Sequence, residues 1–283
     1  MDNMEEYFRS IKILVLICLS LILILSLVSS NYHGLASSDN QEPLKNMTST
    51  NDTNIVLVHG TGSDGSAWSK VIPILIDSGH RVIAAQLPLY SLEDDIDTVK
   101  RAIERVRGGP TILVGHSYGG EVITNAGYNN PNVTGLVYIV GIAPDEGETG
   151  NDFFEQLPQE YLRMFNESIA FDSKGFSYFI PEKLHELYAH DIDPAEADIL
   201  AAVQKPFNIS TGMEKSGPPA WKQLPTWYQV SENDCILPPD IQHYYAERMN
   251  ATILSLNSSH ASILSHRDEI AQLILNATKH ITG

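Results

Sequence analysis

The sequence predicts an α/β fold built on a doubly wound, mostly parallel sheet of about six strands. Short apolar runs alternate with amphipathic segments along most of the chain, which is the pattern of repeated β-α-β units. The 283 residues are 43% hydrophobic and 19% charged, so the chain can bury a full core. The runs predicted as strands are Ile55–His59, Arg81–Ala85, Thr111–Gly115, Leu136–Val140, Thr226–Val230 and Thr252–Leu256.

Helices are predicted between these strands. In Leu92–Arg107, the apolar residues Ile96, Val99, Ile103 and Val106 fall on one face at helical spacing. The other predicted helices are Ala67–Ser78, Gly119–Tyr128, Ile241–Arg248 and Ile263–His280.

Residues 145–222 break the alternation. This segment is rich in aromatic residues, contains several prolines and has no clear strand pattern. An insertion at the carboxyl end of a parallel sheet lies where a lid covers a site. We therefore predict a helical lid insertion over about 145–222, with aromatic residues that form its own core and line a site for an apolar substrate.

Residues 1–30 predict a secretory signal peptide or an uncleaved membrane signal anchor. The 18-residue run Ile11–Val28 is apolar apart from Lys12 and two serines, and Arg9 and Lys12 supply positive charge at its start. This length is long for the apolar core of a signal peptide and short for a membrane-spanning helix, which needs about 20 residues. Both forms stay open, and both predict an extracytoplasmic protein that is secreted or anchored only by this segment. Residues 31–53 are predicted as a polar linker to a domain over 54–283.

Asparagine patterning also indicates export. Eight of the 17 asparagines begin an Asn-x-Ser/Thr sequon, which predicts N-glycosylation outside the cytoplasm. A glycan on Asn257 is not expected, because this residue lies three positions before a candidate catalytic histidine. The sequons begin at Asn46, Asn51, Asn132, Asn166, Asn208, Asn250, Asn257 and Asn276.

Charge and cysteine content exclude several classes of partner. The formal net charge of −17 disfavours nucleic acid and anionic membrane surfaces, and no basic patch offsets it. Of the two cysteines, Cys18 lies in the apolar N-terminal run and only Cys235 lies in the body. One body cysteine and scattered histidines give no zinc-binding spacing, so we predict no zinc site. Oligomeric state leaves no signal in the sequence.

Two glycine motifs suggest different chemistries. The run Gly60–Gly65 fits Gly-x-Gly-x-x-Gly after a strand, which is typical of dinucleotide binding. That interpretation requires an acidic residue at the end of the second strand, where this chain has Gln86. The run Gly115–Gly119 fits Gly-x-Ser-x-Gly between a predicted strand and a predicted helix, which is the setting of a nucleophilic serine on a tight turn. We favour the second interpretation and predict Ser117 as the nucleophile.

Partners for Ser117 follow in the chain order acid, then histidine. A serine needs a base within hydrogen-bond reach, and the base needs an acid to orient it. Asp234 and His260 each follow a late predicted strand, so both are expected at the carboxyl edge of the sheet. Glu232 and Asp240 are alternatives for the acid. His59 and His116 compete for the role of base, but supporting hydrogen bonds are expected of them instead.

Stabilisation of an oxyanion requires two backbone donors. The amide of Tyr118 follows the nucleophile directly. The second donor is expected in the glycine-rich loop after the first strand, from Thr61 or alternatively Gly62.

Taken together, the body resembles the α/β-hydrolase superfamily. It is most similar to the branch of plant methylesterases, hydroxynitrile lyases and bacterial esterases that resemble pyrethroid hydrolases. The resemblance covers roughly residues 54–278. It rests on the segments Val56–Gly60, Gly115–Gly120, Pro225–Tyr228, Ile236–Pro239, Ser259–Ala261 and Leu264–His266.

The resemblance implies a serine carboxylesterase without a cofactor, acting on a small apolar ester. Lyases of this branch carry Thr after the histidine of the first strand and Lys after the catalytic histidine. This chain has Gly60 and Ala261 at these positions, which favours hydrolysis. Thioester hydrolysis, C–C bond cleavage, perhydrolysis and a catalytically silent small-molecule binding protein remain as alternatives. The substrate depends on the insertion and is not predicted.

Overall fold

The computed structural model describes residues 53–106 and 108–282. The predicted signal or anchor at 1–30 lies outside these residues, as does the linker up to residue 52. Within the described ranges, no helix combines the length and apolarity that a bilayer span requires.

A six-stranded parallel sheet forms the centre of the fold, as predicted. Its strands are β1 (Asn54–Val58), β2 (Arg81–Ala85), β3 (Thr111–His116), β4 (Val133–Ile139), β8 (Thr226–Ser231) and β9 (Thr252–Leu256). They lie in the order β2-β1-β3-β4-β8-β9, and every pairing is parallel.

Central strands of this sheet are buried on both faces. All residues of β1, β3 and β8 are buried, whereas four of the five residues in the edge strand β2 are partly or fully exposed. Nearly continuous apolar runs are typical of parallel strands covered by helices on both sides. The core therefore lies around β1, β3, β4 and β8, and it fixes where each strand ends.

Helices pack on this sheet in two pairs. Helices α2 (Leu92–Arg105) and α3 (Tyr118–Ala126) contact each other, as do α1 (Ile72–Asp77) and α9 (Arg267–Thr282). Both α3 and α9 contact β3 and β4, which agrees with the predicted doubly wound arrangement. The other helix of the sheet domain after the insertion is α7 (Pro239–Arg248), and the short α8 (Ser262–Ser265) precedes α9.

Two predicted helices are each divided in the structure. Ala67–Ser78 consists of a 3-10 turn, Gly65–Trp68, followed by α1. Pro73 occupies the first turn of α1, where its missing N–H is tolerated, so a new helix begins there. Ile263–His280 is divided into α8 and α9 at His266, whose backbone leaves the helical region at φ −126° and ψ 40°.

The insertion at 145–222 contains strands that the sequence did not reveal. Besides α4 (Gln159–Ser168), α5 (Pro181–Tyr188) and α6 (Pro194–Val203), it has an antiparallel sheet of β5 (Ile169–Phe171), β6 (Phe176–Phe179) and β7 (Phe207–Asn208). The predicted helical lid insertion therefore contains a small sheet as well as its helices. Strands of two to four residues are too short to display a period of two.

A tight turn connects the first two of these strands. The carboxylate of Asp172 accepts hydrogen bonds from the amides of Lys174 and Phe176 at 2.7 and 3.0 Å. Gly175 completes the turn at φ 82°, a conformation that disfavours other residues. The turn therefore fixes the register of β5 and β6.

Candidate active site

Ser117 lies on the turn between β3 and α3 in a strained conformation. Its φ of 54° is unusual for a residue with a side chain. A Cβ atom on Gly115 would lie 2.4 Å from the carbonyl oxygen of Gly119, and one on Gly119 would lie 2.5 Å from that of Val58. The motif therefore needs its glycines because backbone segments approach each other here. The same turn holds the serine at the carboxyl end of the sheet.

His260 and Asp234 form a buried hydrogen-bonded pair. The Nδ1 atom of His260 lies 2.7 Å from Oδ2 of Asp234, and both residues are 1% exposed. The other carboxylate oxygen accepts the amides of Ile236 and Leu237 at 2.8 and 3.0 Å. Since an ionised carboxylate only accepts hydrogen bonds, Nδ1 carries the proton and Nε2 is left as the basic nitrogen.

Ser117 and His260 line one cavity of about 80 Å³. Thr61 and Tyr118 line the same cavity. The hydrogen bonds of the described residues do not include one between the serine hydroxyl and the imidazole. In enzymes without substrate this contact is often loose and tightens on binding. The structure thus brings together the five residues named from the sequence as nucleophile, base, acid and oxyanion donors.

The alternative acids lie elsewhere. Glu232 contacts His243 at 3.2 Å on the surface, and Asp240 is exposed in the first turn of α7. Asp234 is therefore the carboxylate that contacts the base candidate His260.

His116 and His59, the alternative candidates for the base, make hydrogen bonds to backbone groups around the site. Nε2 of His116 donates to the carbonyl oxygen of His260 at 2.9 Å. His59 donates from Nδ1 to the carbonyl oxygen of Gly60 at 2.9 Å and accepts the amide of Leu87 on Nε2 at 3.0 Å. Burial lowers the pKa of His116 to about 3 and that of His59 to about 4, so both rings are neutral.

Thr61 and Tyr118 both line the cavity, and among the described residues both have an unengaged backbone amide. The alternative donor, Gly62, lines a neighbouring cavity of about 240 Å³ instead, and its carbonyl oxygen accepts the amide of Lys205 at 3.3 Å. Thr61, and not Gly62, therefore lines the cavity that contains Ser117.

The two cavities share aromatic walls. Phe179 and Tyr188, both from the insertion, line the small cavity at Ser117 and the larger one beside it. Four further phenylalanines of the insertion line the small cavity: Phe153, Phe154, Phe165 and Phe207. The predicted aromatic lining from residues 145–222 is therefore present.

Asp191 is a contact of the site that the sequence did not reveal. It lies between α5 and α6 and accepts the Ser259 amide at 2.8 Å, the Ser259 hydroxyl, and the Ser265 hydroxyl at 2.8 Å. Partial burial raises its pKa, but these hydrogen bonds outweigh burial and hold the pKa below its ordinary value. The insertion is thereby connected to the loop that carries His260.

Asp95 is a second carboxylate that sequence analysis missed. It accepts the hydroxyl of Tyr118 at 2.8 Å and the amide of Leu89 at 2.9 Å. Burial raises the pKa of Asp95 to about 6, although these two hydrogen bonds oppose the shift. An acidic residue on the apolar face of α2 was the available signal, since Leu92 and Val99 are buried on the same face.

We expect Asp95 to make folding stability depend on pH. Because its pKa is raised from the ordinary value to about 6, the folded state binds the proton more tightly than the unfolded chain. Its contribution to stability is therefore fully present below about pH 4 and is lost as the pH rises through about 6. Relative to Asp95→Asn, the free energy of unfolding of the unaltered protein should fall by on the order of 2 kcal/mol from pH 4 to pH 7. Denaturant unfolding at each pH measures this, and parallel curves for the two proteins would contradict it.

The glycine run after β1 has a structural role that differs from nucleotide binding. The amide of Gly65 donates to the side-chain oxygen of Gln86 at 3.2 Å. Gln86 thus occupies the place where a dinucleotide site needs an acid. The described residues contain no group of three or more His, Cys, Asp or Glu side chains arranged to hold a metal ion. The thiol of Cys235 is free.

Comparison with known proteins defines the class. The alpha/beta hydrolase family matches residues 55–273. This chain therefore belongs to the alpha/beta hydrolase family, and the predicted fold and superfamily are confirmed.

Individual relatives lie in the branch that the sequence resembles. A pyrethroid hydrolase of Sphingobium wenxiniae is 26% identical over 247 residues, covering 78% of this chain and 86% of that protein. Methylesterase 2 of Arabidopsis thaliana is 24% identical over 223 residues, covering 70% and 85%. The crystal structure of polyneuridine aldehyde esterase superimposes with a TM-score of 0.70 at 18% identity, covering 80% and 99%. The names of the pyrethroid hydrolase and the methylesterase support the predicted class of enzyme, a hydrolase of carboxylic esters, and the crystal structure supports the fold.

Proposed function

We propose that this protein is a serine carboxylesterase that works through an acyl-enzyme on Ser117. The observation that carries the proposal is the buried His260–Asp234 pair at 2.7 Å, beside a serine on a strained turn and two unpaired amides in one cavity. An orienting acid, a base, a nucleophile and oxyanion donors are the parts that acyl transfer requires.

In the first half of the reaction, Oγ of Ser117 attacks the carbonyl carbon of the ester. Nε2 of His260 takes the hydroxyl proton, and Asp234 stabilises the resulting imidazolium. The carbonyl oxygen becomes an oxyanion, which accepts the amide N–H groups of Thr61 and Tyr118. When the carbonyl re-forms, the ester C–O bond breaks and the imidazolium gives its proton to the leaving alcohol.

In the second half, water replaces the alcohol. His260 removes a proton from water as the oxygen attacks the acyl carbon, and the bond to Ser117 Oγ breaks. The serine recovers a proton from the imidazolium, and the carboxylic acid leaves. Because the two cavities share Phe179 and Tyr188, we propose that they receive the two parts of the ester on either side of the scissile bond.

Gly60 supports hydrolysis in preference to lyase chemistry. A Cβ atom at this position would lie 2.8 Å from the Cβ of Ser117 and 3.1 Å from the carbonyl oxygen of His116. The threonine that the related lyases carry would therefore collide with the nucleophile in this arrangement.

Fluorophosphonate labelling tests the proposed nucleophile. These probes phosphonylate a serine only where a base and an oxyanion site activate it. We expect one adduct, and mass spectrometry of the digested protein should locate it on Ser117. Prior denaturation should abolish labelling, and an unlabelled Ser117 in the folded protein would refute the proposal.

We further propose that the protein is extracytoplasmic and N-glycosylated. Among the described sequons, Asn132, Asn166, Asn250, Asn257 and Asn276 are exposed, and Asn208 is half-buried. Exposure on a folded surface is what an attached glycan requires.

Glycosidase treatment tests this location. Protein isolated from the secretory pathway of its natural cell should lose mass when an N-glycan-specific amidase is added. Peptide mapping should show the accompanying Asn-to-Asp conversion at exposed sequons other than Asn257. No conversion is expected at Asn257, whose side chain accepts a hydrogen bond from Asn233 at 2.6 Å. An unchanged mass would contradict glycosylation.

A further inference from the structure

Glu121 is a buried acid in the wall of the cavity at Ser117. It lies on α3, one helical turn after the nucleophile, and is 0% exposed. Its Oε1 atom accepts the amide of Gly150 at 3.1 Å. Its Oε2 atom has no hydrogen-bond partner among the described residues. The reaction proposed above does not use this residue.

The surroundings of Glu121 favour the neutral, protonated form of its carboxyl group. Burial raises its pKa well above the ordinary value, and the negative charges of Glu214 and Asp152 raise it further. No salt bridge of the described residues involves it. Because Oε1 already accepts an N–H group, the proton belongs on Oε2. The side chain therefore presents an O–H donor that lacks an acceptor.

An unused buried donor is costly, and a ligand can recover that cost. Leaving a buried polar group without a hydrogen-bond partner costs considerably more free energy than an ordinary hydrogen bond contributes. Gly150 preserves the room for this group, since a Cβ atom there would lie 2.0 Å from Oε2. The cavity walls include Phe153, Phe154 and Phe165, whose side chains accept no conventional hydrogen bond, and no described group accepts one from Oε2.

Glu121 lies close to the nucleophile along the same helix. Four residues of helix place it about 6 Å along α3 from Ser117. Because Ser117 and Glu121 line the same cavity, a substrate whose carbonyl carbon lies against the serine hydroxyl needs only a few bonds beyond the ester group to approach the Glu121 side chain.

We propose that Glu121 selects esters that carry a second neutral hydrogen-bond acceptor, a ketone or hydroxyl oxygen, on the part that enters this cavity. The proposal rests on the esterase function proposed above. Glu121 acts as a specificity-determining donor and takes no part in proton transfer at Ser117. A site built to hydrogen-bond a substrate oxygen discriminates strongly against the analogue that lacks it.

Matched esters test this selectivity. One series consists of ethyl pentanoate, ethyl 3-oxopentanoate and ethyl 4-oxopentanoate; the other consists of butyl acetate and 3-oxobutyl acetate. We expect at least one oxo ester to exceed its plain counterpart about 10-fold in kcat/KM, after correction for its non-enzymatic rate. The preference should vanish in Glu121→Met and persist in Glu121→Gln, whose amide still donates through nitrogen while its oxygen accepts Gly150.

Several results would overturn the proposal. One is an absence of oxo preference in both series, and another is a preference that survives in Glu121→Met. A third is a preference for acetylcholine over its uncharged isostere 3,3-dimethylbutyl acetate that is lost in Glu121→Gln. This result would mean that Glu121 binds a substrate cation. Fluorophosphonate labelling of each variant verifies that the nucleophile is intact. Loss of labelling and of all ester hydrolysis in the unaltered protein would instead contradict the esterase function itself.

Discussion

Replacing Ser117 by alanine is expected to lower kcat for p-nitrophenyl acetate by at least about 10⁴-fold. The substitution removes the atom that attacks the ester and leaves the oxyanion amides and the aromatic walls in place. The residual rate over water should therefore reflect those donors alone. Stopped assays at high enzyme concentration, with the active-site concentration of the unaltered enzyme titrated by fluorophosphonate, measure the ratio.

Stability provides the control for this variant. Alanine and serine meet the same backbone strain at φ 54°, so the thermal midpoint should stay close to that of the unaltered protein. A folded Ser117→Ala protein that retains more than a tenth of the activity would place the nucleophile elsewhere.

Replacing Asp234 by asparagine is expected to reduce kcat by about 10⁴-fold. The geometry decides how the new amide is oriented. Its oxygen must replace Oδ1, which accepts the amides of Ile236 and Leu237, so its NH₂ group faces Nδ1 of His260. The imidazole then has to accept on Nδ1 and carry its proton on Nε2, where it no longer takes a proton from Ser117.

Glu232 and Asp240, the alternative carboxylates that do not contact His260, provide the matched controls. Glu232→Gln and Asp240→Asn change one surface carboxylate each and should keep kcat within about twofold. In Asp234→Asn, the introduced NH₂ group also faces the Nε2 donor of Gln242, which lies 3.0 Å from Oδ2 of Asp234, so some loss of stability is expected as well. An Asp234→Asn enzyme within tenfold of the original kcat would refute the assigned role.

The sheet and the order of the candidate site residues could be predicted from the sequence because both leave local patterns. Apolar runs reveal buried parallel strands, and the glycines around Ser117 follow from backbone contacts within the turn and with β1. Asp234 and His260 are recognisable because each follows a strand, and parallel strands end at one edge.

Contacts that join distant parts of the chain were not predictable in this way. Asp191 reaches Ser259 across 68 residues and lies in a segment with no periodic pattern. Glu121 is visible as an acid among buried residues of α3, but only the fold shows that Gly150 occupies one of its oxygens. The small sheet of the insertion escaped detection because its strands are shorter than the pattern that identifies a strand.

The hydrogen bonds of Asp191 connect the rate of ligand exchange to the alignment of the catalytic base. This residue belongs to the insertion, whereas Ser259 and Ser265 flank the base on the other side of the interface. Any motion that lifts the insertion away from this loop breaks the same hydrogen bonds that immobilise the peptide next to His260. The free energy of these hydrogen bonds therefore affects both the admission of a ligand and the alignment of the imidazole. An insertion anchored more firmly would align the histidine better and exchange ligands more slowly.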